Sequence, residues 1–125
     1  MPFEYTKDDE KRRIRILVRD PISEAEAIAV IDRQAADRAW DYGVLYDARS
    51  YLNRMLSDLP KIAAHVRDLA SQHGPRGPVA IVTRDATMVG VGQIYAGLGE
   101  KAGFEVQVFW DVDEAERWLE SRKRA

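Results

Sequence analysis

Two trios of residues in this chain have types and spacing suited to chemistry: Asp47, Arg49 and Ser50, then Thr83, Arg84 and Asp85. Each follows a short apolar run, Val44 to Tyr46 and Val79 to Val82, that reads as a strand. In open α/β sheets ligands sit beyond the carboxyl ends of the strands. Carboxylate, guanidinium and hydroxyl groups gathered there suit a small anionic ligand or an acidic side chain of a protein partner, because the following helix N-termini add unsatisfied N–H groups. The plainer reading makes Asp85 and Asp111 helix caps and the arginines members of solvated ion pairs. The polar stretch from Ala48 to Leu56 adds weight to binding, since loops of this length are often functional.

Other chemistries fit less well. His65 and His73 are eight residues apart, without the i, i+4 spacing or the carboxylates of a zinc site, so they are expected to be solvated or capping and no metal is expected. With no cysteine, thiolate metal sites and thiol nucleophiles are excluded. No Gly-x-Ser-x-Gly elbow exists, and no histidine is placed to serve Ser50 or Ser57. Gly90-Val91-Gly92 and Gly97-Leu98-Gly99 lie inside a helical pattern, too far from a strand for a dinucleotide fingerprint; close packing is the expected reason, a phosphate cradle the alternative. A phospho-receiver would explain Asp47 and Thr83, but Arg19-Asp20 and Trp110-Asp111 stand where it needs paired magnesium carboxylates and a lysine. No cofactor is expected.

The elements that must position these residues follow from periodicity and capping. Phe3 to Thr6 and Arg12 to Val18 read as a hairpin, the second strand alternating Ile14, Ile16 and Val18 with Arg13, Arg15 and Arg19, one face buried and one wetter. Ser23 with Glu26 forms a capping box for a helix to about Ala39 with Ile28, Ile31, Ala35 and Ala39 on its stripe. Ser57 caps a second helix ending near His73, and Asp85 or Thr87 caps a third ending at Gly103. Phe104 to Trp110 is a strand near the sheet edge, and Asp111 caps a last helix docked by Val112, Ala115, Trp118 and Leu119. The order ββαβαβαβα predicts an α/β fold: a mixed sheet of four to five strands, helices mainly on one face, in one domain over 1–125.

With 19 basic and 21 acidic residues and a net charge of −2, no global field draws the chain to nucleic acid. No apolar run approaches a bilayer span, and the absence of a signal-like region in Met1 to Lys11 suggests a cytoplasmic protein without an integral membrane segment. Leu17, Tyr51, Leu52 and Phe109 exceed what one covered sheet face requires, which suggests a homodimer.

The segments Val44-Leu45-Tyr46-Asp47, Pro78 to Val82 and Val106 to Leu119, the last running through Trp110-Asp111 to Trp118-Leu119, carry a resemblance. Over nearly its whole length the chain resembles bacterial STAS domains of the anti-sigma-factor-antagonist-like group, which are similar in fold to CRAL-TRIO lipid carriers. The resemblance implies a non-enzymatic regulatory or binding module. In that family a Ser or Thr after the strand equivalent to Val44–Asp47 is phosphorylated, within a segment such as Asp-Ser-Ser-Gly. Here the stretch reads Asp47-Ala48-Arg49-Ser50-Tyr51, which leaves Ser50 and Ser57 as the hydroxyls nearest that position. The alternative is a small-molecule carrier, of a lipid or an anion, or a weak enzyme using the strand-end crevice.

Overall fold

The computed structural model of the chain describes residues 3–19, 23–49 and 59–122. Its elements are β1 (Phe3–Asp8), β2 (Arg13–Val18), α1 (Glu24–Ala36), β3 (Gly43–Asp47), α2 (Leu59–His73), β4 (Val79–Val82), α3 (Ala86–Ala102), β5 (Val106–Phe109) and α4 (Val112–Ser121). They form an α/β fold on a five-stranded mixed sheet of order β1-β2-β3-β4-β5, with β1 antiparallel to β2 and the other pairs parallel. Each crossover therefore moves one place in the same direction. With right-handed connections, such a progression puts α1, α2 and α3 on one face.

Side-chain alternation agrees. In register across the parallel strands, Ile14, Val44, Val79 and Val106 form one row and Ile16, Tyr46, Ile81 and Val108 the next. These rows meet Val30 and Ile31 of α1, Ile62 and Val66 of α2 and Tyr95 of α3 in the main core. The opposite face carries Leu45, Ala80, Val82 and Phe109, covered by Ala115 and Leu119 of α4. Gly43 lets this helix sit close, since a Cβ there would stand 3.3 Å from Leu119.

The capping box at Ser23 is present, with Ser23 Oγ accepting from Glu26 N at 3.1 Å and Ser23 N donating to Glu26 at 3.0 Å. Asp111 caps α4, accepting from Asp113 N at 2.8 Å. Asp85 immediately precedes α3, whereas Thr87 lies within it. Several expectations are corrected. Arg13 is on no wetter face: it is 2 % exposed, sealed under α4 by Glu116 and Glu120. The buried stripe of α1 is Val30, Ile31 and Gln34, with Ile28 and Ala35 only half-buried, and the helix stops at Ala36. Phe109 is buried against Trp118 and so belongs to the core, not to an interface patch. Tyr51 and Leu52 lie outside the described residues, and among the described residues the large apolar side chains found exposed are Ile94 and Trp110.

The glycines of α3 divide. A Cβ at Gly92 would meet Val108 Cγ2 at 2.5 Å, and one at Gly99 would meet Phe104 and Val106 at 3.1–3.2 Å, so these two let α3 lie close against β5. Gly90 and Gly97 face open space among the described residues, and close packing does not explain them. Gly97→Ala is expected to raise stability by about 0.5–1 kcal/mol through helix propensity. Gly92→Leu is expected to lower it by about 1–3 kcal/mol through overpacking. Urea unfolding of both variants checks the split.

Candidate functional site

Because β3 and β4 pair with Asp47 opposite Val82, the structure brings Asp47, Arg49, Thr83, Arg84 and Asp85 to one end of the sheet. The end of β5 adds Trp110 and Asp111. Ser50 and Ser57, the phosphorylation candidates, lie outside the described residues, as does most of the 48–56 stretch.

Within this group several side chains are already committed. Arg49 grips Asp47 through Nε and Nη2 at 2.8 and 2.7 Å, and its backbone N–H donates to the same carboxylate at 3.3 Å. The hydrogen bond from the guanidinium holds Asp47 below the usual carboxylate range despite partial burial. Asp47 is thus a fixed anion, not a proton carrier at neutral pH. Thr83 is fully buried; its Oγ1 accepts from Asp85 N at 3.2 Å, and its N–H donates to Phe109 O at 3.0 Å. Its hydroxyl shapes the turn from β4 into α3. Arg84 is exposed, Asp85 is half-buried, and Trp110 is 53 % exposed. The end of the sheet thus presents an exposed arginine and an exposed tryptophan together with an Asp–Arg ion pair.

Two features lie elsewhere. His65 pairs with Asp32 at 2.6 Å, linking α2 to α1, while the His73 ring lies tilted at 49° to that of Trp40 with centroids 6.1 Å apart. Among the described residues no three or more histidine, aspartate or glutamate side chains converge as a metal would require. At the opposite end of the sheet sits a buried polar cluster that sequence reasoning missed. Arg76, 5 % exposed, donates through Nε and Nη2 to Gln34 Oε1 at 3.1 and 2.9 Å and reaches the Tyr46 hydroxyl at 3.3 Å. Its guanidinium lies 5.5 Å from the ring centroids of both Trp40 and Phe104. Gln34 in turn donates to the carbonyls of Ala39 and Trp40 at 2.9 and 3.2 Å, and Trp40 Nε1 donates to Gly74 O at 2.8 Å. Burial pushes the neighbouring Tyr95 phenol up to about 12. The available signal was Gln34, a polar residue at helical spacing from Ile31 on the apolar side of α1.

Compared with family models, curated proteins and solved structures, the chain matches none.

Asp47 supplies a pH test. Its pKa in the folded state is below the ordinary value of about 3.8, so its stabilisation is complete above that value and is lost as pH falls through the lowered one. Asp47→Asn is expected to cost about 0.5–1 kcal/mol at pH 7, in the range of a partly exposed pair. The difference from the parent should shrink as pH falls below about 3.8; unfolding curves at pH 7 and pH 3 measure the decrease.

Proposed function

We propose that this chain is a non-enzymatic regulatory or binding module of the STAS type, acting in the cytoplasm on a protein partner or small anionic ligand. Its contact surface is the carboxyl end of the parallel strands. The observation that carries this reading is the exposed Trp110, presented at the same end as Arg84 and the Asp47–Arg49 pair. Tryptophan and arginine are the side chains most often found as anchors in protein interfaces. The element order supports the STAS comparison, with three crossover helices on one face of a mixed sheet and α4 on the other. The commitment of Thr83 and Asp47 to structural bonds fits a binding surface better than an acid–base site. Among the described residues no helix is long and apolar enough to cross a membrane.

Affinity capture with the intact chain, followed by mass spectrometry of bound proteins and small molecules, identifies the occupant. Trp110→Ala is then expected to weaken its binding by more than tenfold, as an interface anchor does. Arg84→Ala should weaken it by about tenfold, with thermal unfolding of both variants near that of the parent. Undiminished binding in both variants would contradict the reading.

A further inference from the structure

An open cleft of about 1210 Å³ lies at the amino ends of the strands, lined from the turn before β2, the end of α1 and the segments entering β4 and β5. Five arginines and three carboxylates line it. Most of this charge is paired: Arg12 with Asp41, Arg122 with Glu105 at 3.3 Å, and Arg13 with the glutamates of α4. Among the described residues, Arg38 and Arg76 have no carboxylate partner, and neither does Glu100.

Helix direction explains part of this. All four helices run antiparallel to the parallel strands, and their C-terminal carbonyls favour cations at this rim. That does not account for Arg76. A guanidinium stays protonated, and a buried cation without an anion is costly. The partners of Arg76 are an amide oxygen, the phenols of Tyr46 and Tyr95 and two ring faces, none of them a carboxylate, and its Nη1 has no hydrogen-bond acceptor among the described residues.

Nor does it account for the conformation of Arg38. Arg38 N donates to Ala35 O and Ala39 N to Gln34 O, both at 3.1 Å, so α1 ends in a Schellman motif with Arg38 in the left-handed position at φ +58°. Glycine is the usual occupant there, and α2 and α3 do end with Gly74 at φ +89° and Gly103 at φ +86°. α1 alone of the three places an exposed arginine in this conformation, on the rim above Arg76. Local preferences broken in this way are expected at functional or strained positions, and Arg12, at φ +51°, is a second left-handed arginine lining the same cleft.

We propose that this cleft binds a small organic anion through a phosphate or carboxylate group, held by Arg38 and the charge of Arg76. The ligand supplies the negative charge that the core around Arg76 lacks. Glu100 opposes it and limits affinity for simple anions.

Isothermal titration of the intact chain at low salt, with inorganic phosphate and with benzoate as probes, tests the site. Saturable binding of at least one probe is expected, the tighter one identifying the anionic group. Arg38→Gly should weaken binding by about tenfold while raising the melting temperature, because glycine suits the left-handed position. Glu100→Gln should tighten binding, and Arg67→Ala, an equal charge change on the exposed side of α2, should leave it unchanged. No saturable binding of either probe, unchanged affinity in Arg38→Gly, or an equal loss in Arg67→Ala would each overturn the proposal.

Discussion

The constraint on which the rest of this structure depends is the single hand of its crossovers along a sheet that only advances. Because β2 to β5 take successive places in one direction, α1, α2 and α3 must share a face. The other face would be open, and α4 closes it over Leu45, Ala80 and Val82. The same constraint polarises the molecule. Every crossover helix begins at the carboxyl ends of the strands and finishes at their amino ends, so N–H groups gather at one pole and carbonyls at the other. Trp110, Arg84 and the Asp47–Arg49 pair stand at the first pole, and the cleft over Arg76 at the second.

Two buried arginines show how differently the two faces treat charge. Arg13 is held under α4 by Glu116 and Glu120, and exposed Arg15 shares Glu116 at 2.6 Å. This pairing fastens the polar flank of β2 to a helix whose apolar contacts are with β3 to β5. Arg76 has no such anion. It is held by Gln34 and Tyr46 between two aromatic rings, and that holding ties the end of α1, the turn into β3 and the turn into β4 into one unit. Removing Gln34 would strip the cation of its main partner and take one of two donors from each of the Ala39 and Trp40 carbonyls, which also accept from Tyr42 N and Gly77 N, so this amide fastens three chain segments at once.

Much of this fold was legible in the sequence because its signals are local. The capping box at Ser23, the Asp111 cap, the alternation of β2 and the apolar run of β4 each specify an element from neighbouring residues alone. What could not be read depends on contacts between distant segments. Arg76 sits in Gly74-Pro75-Arg76-Gly77-Pro78, a turn composition that argues for solvent, yet the turn folds inward onto Gln34. Arg13 has the same type and alternation as exposed Arg15 and differs only in lying beneath the last turns of α4. The α3 glycines are alike in sequence, and only the position of β5 separates Gly92 from Gly97. At the candidate site the strand-end rule located Asp47, Arg49 and Arg84 together, but it gave no sign that Arg49 would neutralise Asp47 or that Thr83 would be sealed.

The central claim is that the two poles serve different occupants, with a small anion taken at the amino ends of the strands. An amide-detected NMR titration of the isotopically labelled chain with inorganic phosphate and with benzoate tests it most directly, because each residue reports its own location. The account predicts that the resonances to move are those of Arg38, Gly77, the Trp40 indole and the Arg76 side chain. Shifts confined to Arg49, Thr83 to Asp85 and Trp110 to Asp113 would contradict it.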